Sequence, residues 1–282
     1  MAEDLSPIVV GVDGSPSASG AMRWAAADAT RRGRPLRLVH AVEPWACDIP
    51  FYPAPLMTES IENAGRTILE RAIEQVHEWC PDLLATAELV ADPPAAALRR
   101  QARGAYEVVV GHRGLGGFTG LLLGSVGLHT AGYADGTVVV VRGGDRAEQG
   151  EVVAGIDLSK HSETALDHAF DAAAVRAARL RVVYAWCPPE GQYAVLEVGE
   201  LAEIAVRTVR EVLEPWKARY PQVEVAHDTV RGHPVKELVH ASVGADLVVV
   251  AARGHSNARL GSVSHGLIHH ADCPVAVVRP RE

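Results

Sequence analysis

Residues 9–44, "VVGVDGSPSASGAMRWAAADATRRGRPLRLVHAVEP", lie without a gap on residues 153–188, "VAGIDLSKHSETALDHAFDAAAVRAARLRVVYAWCP". Asp13 meets Asp157, Ser15 meets Ser159, Ala21 meets Ala165, Leu36 meets Leu180 and Pro44 meets Pro188, all at an offset of 144 positions. Further on, "YEVVVGHRG" (106–114) matches "ADLVVVAARG" (245–254), Asp135 meets Asp272, and "TVVVVR" (137–142) meets "PVAVVR" (274–279). The chain is a tandem duplication. "GGDRAEQGE" (143–151) reads as the linker, so the expected domains are 1–144 and 151–282.

Each copy alternates short apolar runs with helical patterns. In the first, "PIVVGVD", "PLRLVHAV", "TAELVA", "YEVVVG" and "TVVVVR" read as strands. Between them lie "SASGAMRWAAADATRRG" with Gly33 as its stop, a helix from Glu59 to Cys80, "PAAALRRQARG", and a helix after the glycine loop. Strands apolar throughout, alternating with amphipathic helices, indicate an α/β fold. It consists of two tandem open five-stranded parallel sheets with helices on both faces.

The chain has 282 residues, enough for two such domains, with 48% hydrophobic and 22% charged residues. A formal net charge of −8 argues against bulk attraction to nucleic acid or an anionic membrane. Cys47, Cys80, Cys187 and Cys273 form no CxxC pair, which disfavours a zinc site or disulfide framework and fits a reducing compartment. The N-terminus lacks a signal-peptide pattern, and no apolar run approaches the roughly 20 residues that span a bilayer. The expectation is a cytoplasmic protein.

The stretch "GHRGLGGFTGLLLGSVG" (111–127) holds seven glycines among seventeen residues at the exit of an apolar strand. In an open parallel sheet, ligands sit beyond the strand carboxyl ends where the strand order reverses. If strands one and four are neighbours there, Asp13, Gly14 and Ser15 share a crevice with Gly111, His112, Arg113 and Gly114. Gly124, Ser125 and Val126 then open the next helix, whose N-terminus offers unpaired N–H groups. Bare backbone lets such donors approach an anion, most simply a nucleotide polyphosphate. The segment is not a Walker A loop, since no Gly-Lys-Ser/Thr closes it. After the first strand stands "GVDGSPS" and not G-x-G-x-x-G, and "LGSVG" lacks the first glycine of a nucleophile elbow.

Gly111-x2-Gly114-x9-Gly124-Ser125, with "VGVDGS" upstream, resembles the nucleotide-binding signature of the universal stress protein family, once per half of the chain. The resemblance implies an adenine nucleotide α-hydrolase-like sheet of order 3-2-1-4-5. It implies ATP as ligand, with the question of Mg²⁺ left open, and a stress-response or signalling role. On matching positions it implies that Asp13 contacts the adenosine end and that Ala41 and Val42 line the adenine pocket. Gly111 and Gly114 would approach ribose and phosphate, and Gly124, Ser125 and Val126 would hold phosphates. It also implies self-association through the fifth strands, as intramolecular pairing of the two copies and as a homodimer.

The second copy departs from the signature. Ala251 replaces Gly111, Leu158 replaces Gly14, and Gly254 to Gly261 encloses six residues and not nine. Asp157, Ser159, Arg253, Gly254, Gly261 and Ser262 remain as second-site candidates in a site that reads as degenerate. Arg113 and Arg253 fit either solvated loop charge or a phosphate clamp. Asp13 fits either a helix cap or an adenosine contact. His265, His269 and His270 share a helix without a Glu or Cys at ligand spacing, so no metal site is expected. No nucleophile or Mg²⁺-binding set is recognisable, leaving weak ATPase or nucleotidyl or phosphoryl transfer, or an ATP-independent scaffold, as alternatives to a binding module.

Overall fold

The hydrophobic patterning sorts the strands before any packing is considered. "IVVG", "EVVVG" and "LVVVA" are buried almost throughout, whereas "ATAELVA" and "VAHDTVR" are half exposed and carry polar residues. Strands buried on both faces belong in the middle of a parallel sheet, and strands with polar side chains belong at its border. The computed structural model, which describes residues 5–43, 54–114, 124–142, 147–186, 198–252 and 260–281, has that arrangement.

The chain forms two compact units, Met1–Asp145 with Arg281–Glu282, and Arg146–Pro280. Unit 1 contains β1 (Ile8–Gly11), α1 (Pro16–Arg32), β2 (Leu36–Val42), α2 (Ala54–Trp79), β3 (Ala85–Ala91), α3 (Pro94–Ala102), β4 (Glu107–Gly111), α4 (Ser125–Tyr133) and β5 (Thr137–Val141). Its strand order is β3-β2-β1-β4-β5, all parallel, with Ile8 level with both Leu36 and Glu107. Helices α1 and α2 pack together, as do α3 and α4, and the two pairs cover the sheet. Unit 2 repeats this with β6 (Glu151–Ile156), α5 (Lys160–Arg176), β7 (Arg179–Trp186), α6 (Val198–Arg219), β8 (Val225–Arg231), α7 (Pro234–Ser242), β9 (Leu247–Ala251), α8 (Ser262–His270) and β10 (Val275–Val278). Its order is β8-β7-β6-β9-β10.

Two boundaries differ from the sequence reading. Helix α2 begins at Ala54, before Glu59. Glu151, read as the end of a linker, already belongs to β6 and is buried, paired with Arg179 at 2.6 Å. The Asp246 carboxylate accepts the amides of Gln149, Gly150 and Glu151, which fixes the entry of that strand.

The first helix shows what the duplication kept and lost. Ser15 caps α1 by accepting the Ala18 amide at 3.1 Å, Pro16 follows it, and Gly33 ends the helix in the left-handed region at φ 60. In α5 the cap is Ser159 without a side-chain bond, and the left-handed C-terminal position is Ala177 at φ 49. Leu158 likewise takes φ 60 where Gly14 takes φ 81. Side chains with a Cβ are strained in this region by about 1 kcal/mol.

Ala177→Gly is expected to stabilise unit 2 by about 1 kcal/mol, and Gly33→Ala to destabilise unit 1 by a similar amount. A Cβ at Gly33 would meet no atom within 4 Å, so only the backbone angle is tested. Denaturant unfolding of both variants reads the difference.

Candidate functional site

The strand order reverses at β1, whose neighbours are β2 on one side and β4 on the other. The segments leaving β1 and β4 therefore meet. Past β1, the Asp13 Oδ1 accepts the Ser15 amide at 2.9 Å, and Gly14 makes the turn at φ 81. Past β4, a Cβ built on Gly114 would lie 2.7 Å from the Asp13 Oδ2. The bare Gly114 is thus what lets the carboxylate stand over the β4 exit. Gly124, the cap of α4, closes the third side: its amide donates to the His112 carbonyl at 2.8 Å, and its Cβ position is 3.7 Å from the Gly114 nitrogen.

Several backbone donors in this region serve the fold. His112 donates its amide to Val141 at 3.0 Å, and Arg113 donates its amide to the Ser17 hydroxyl at 3.1 Å. Gly111 is bare because α1 lies on it: a Cβ would come within 2.6 Å of the Ser17 Oγ and 2.7 Å of its carbonyl. The amides offered to an anion are those of Gly114, Ser125 and Val126. Gly124 caps α4 in an extended conformation without a side-chain bond, which leaves the first-turn donors of the helix to a ligand or water.

The Ser17 Oγ also lies 3.0 Å from the His112 Nδ1. Burial holds the His112 pKa below its usual value, helped by Arg142 and Arg113 and opposed by a hydrogen bond to the Val141 backbone. Ser17, accepting from Arg113, can then donate to an unprotonated Nδ1. Ala41 and Val42 close β2, half-buried. Gly11 is level with Val39, so two residues further on Ala41 comes level with Asp13. His40 secures that end of β2 through Nδ1 to the Val12 carbonyl at 2.7 Å. A separate cavity of about 260 Å³ lies between α1 and α2, lined by Gly14, Ser15, Met22, Ile68 and Arg71, and does not reach Asp13.

Unit 2 contains a cavity of about 290 Å³ at the corresponding place, lined among others by Asp157, Ala185, Ala251, Gly261, Ser262 and Val263. By repeat position these are the counterparts of Asp13, Ala41, Gly111, Gly124, Ser125 and Val126. The closing bond is also repeated, Gly261 donating to the Ala252 carbonyl at 2.7 Å. Of the second-site candidates, Asp157, Gly261 and Ser262 line the cavity, Ser159 does not, and Arg253 and Gly254 lie outside the described residues.

Two serines were missed by sequence reasoning. The Ser162 hydroxyl donates to the Asp157 Oδ1 at 2.8 Å and accepts the Asp157 amide at 3.1 Å. The Ser264 hydroxyl donates to the Ala251 carbonyl at 2.7 Å, joining the first turn of α8 to the β9 exit. The available signal was their replacement of Ala18 and Gly127 in the aligned copies. Tyr184, in the place of His40, has its pKa raised by burial and by the Asp157 charge.

On α8 the rings of His265 and His269 lie 4.6 Å apart and those of His269 and His270 6.1 Å. Among the described residues no group of three or more His, Cys, Asp or Glu is arranged to hold a metal ion. Among them, too, no helix is long and apolar enough to cross a membrane.

Comparison with known proteins agrees with the duplication. The universal stress protein family profile matches twice, at residues 5–142 and 150–279. A universal stress protein of Mycolicibacterium smegmatis is 35% identical over 294 residues, covering 97% of each chain. Universal stress protein Rv2623 of Mycobacterium tuberculosis is 34% identical over 295 residues, covering 96% of each chain. A crystal structure of a universal stress protein from Archaeoglobus fulgidus superposes with a TM-score of 0.73 at 16% identity, covering 98% of this chain and 99% of that one, which speaks for the fold. With both halves matched and relatives aligned end to end, the chain belongs to the universal stress protein family, in a form that carries two copies of the domain in tandem.

Proposed function

We propose that unit 1 binds an adenine nucleotide, ATP, in the crevice between β1 and β4, and that the protein acts as a nucleotide-dependent stress-response or signalling module. The observation that carries this reading is the placement of Gly114 under the Asp13 carboxylate beside the uncapped start of α4. A Cβ would fill that cradle, so the residues present fit a ligand that needs close backbone approach. Asp13 would accept from a ribose hydroxyl, Ala41 and Val42 would flank the base, and the amides of Gly114, Ser125 and Val126 would meet phosphate oxygens. Gly14 and Ser15 set the Asp13 turn, His112 and Gly124 close the loop, and Gly111 admits α1. Arg113, exposed at the crevice, would add a cation for the phosphates.

Action in the cytoplasm and self-association through the fifth strands, within the chain and as a homodimer, belong to the same proposal. Sedimentation velocity with and without ATP reads the assembly.

Gly114→Ala is expected to weaken ATP binding at least about tenfold, because the added methyl displaces the Asp13 carboxylate. Gly124→Ala, whose Cβ would rest at ordinary contact distances of 3.5 to 3.7 Å, should change it only about twofold. Glu at either position should abolish binding. Isothermal titration checks all four variants, and undiminished affinity in Gly114→Glu overturns the assignment. The same titration of the unaltered chain should return one ATP per chain.

A further inference from the structure

Unit 2 has the parts of a ligand site, arranged for a different charge. We infer that its cavity binds an adenine nucleoside carrying at most one phosphoryl group and discriminates against the triphosphate, an inference that rests on the adenine-nucleotide reading of unit 1. One end of the cavity is walled by Val183, Ala185, Leu238 and Val250, an apolar slot suited to a flat heterocycle. Beside it the Asp157 Oδ1 is fixed by two donors, the Ser159 amide at 3.0 Å and the Ser162 hydroxyl at 2.8 Å. A carboxylate held in this way is a preset acceptor for ribose hydroxyls.

The other end is the first turn of α8, where Ser262, Val263 and Ser264 line the cavity and Gly261 caps the helix without a side chain. A helix N-terminus supplies roughly half a positive charge. Among the described lining residues there is no Lys or Arg, and Asp157 adds a negative charge. Polyphosphate sites rely on Lys, Arg or metal to neutralise the phosphates. The α8 N-terminus alone can balance one phosphoryl group and not three.

The chain between the two anchors points the same way. Gly261 is bonded to Ala252 as Gly124 is to His112, but eight residues (253–260) join the first pair and eleven (113–123) the second. Three fewer residues remove three main-chain amides and up to ~10 Å of contour that could follow a longer phosphate chain. The repeat therefore keeps the nucleoside end of the site and shortens its phosphate end.

The test is isothermal titration of the full chain with adenosine, AMP and ATP in a Gly114→Glu background, which removes unit 1. AMP should still bind, and ATP should bind at least about tenfold more weakly than AMP. Adding Ala185→Leu, which fills the apolar slot, should abolish AMP binding. Adding Ser262→Glu places a negative charge where the helix dipole tolerates it and the phosphoryl group would lie. It should weaken AMP at least about tenfold while changing adenosine less than about threefold. If Ala185→Leu does not fold, Ser262→Glu carries the test alone. The inference is overturned if AMP does not bind the Gly114→Glu protein, if ATP binds it as tightly as AMP, or if AMP ignores Ser262→Glu. Wild-type ATP binding that survives Gly114→Glu would instead overturn the reading of unit 1.

Discussion

In both units one main-chain hydrogen bond seats the last helix on the exit of the fourth strand, Gly124 to His112 in the first and Gly261 to Ala252 in the second. The rest of each crevice depends on it. It fixes the helix N-terminus beside the tip of the sheet, and it makes the intervening chain a closed loop whose length can change without moving either end. The bond is made by backbone atoms, so it survives the exchange of His112 for Ala252 and the loss of three residues between the anchors.

Around that shared bond the copies have solved the same packing problem with different side chains. In unit 1 the β4 exit is tied to α1, where Ser17 receives the Arg113 amide and touches His112. In unit 2 the corresponding position is His161, and the serines have moved: Ser162 locks the carboxylate and Ser264 ties α8 to β9. Each arrangement immobilises the acidic residue after the first strand, by one donor in unit 1 and two in unit 2. The unit 2 carboxylate is thus the more tightly held, in the copy whose signature is the more eroded.

The strand order, the duplication and the meeting of Asp13 with Gly114 were legible because they follow from patterns the sequence carries openly. Valine runs mark the buried strands, and the turn residues recur at constant offset. The start of α2 was not, since nothing at Ala54 resembles a cap and the helix there is held by packing. Glu151 was misread because a charged residue suggests a linker, while Arg179 makes it buriable. The second cavity was the larger omission. A glycine signature reports where backbone must be bare, and it does not report that a backbone bond and two serines can keep the same hollow open around Ala251. A resemblance weighted on glycines therefore underrates a copy that has substituted side-chain locks for bare main chain.

The bordering strands β3 and β8 have a bearing on solubility. Their residues alternate between half-exposed and exposed, and on β8 Asp228 holds the guanidinium of Arg181 from β7 at 2.6 Å. A foreign strand adding to that border would have to strip water from a charged pair and gain little apolar burial in return. Each sheet thus carries its own deterrent to open-ended stacking on the β3 and β8 side, and an acidic protein built of valine-rich parallel strands can remain dispersed at high concentration.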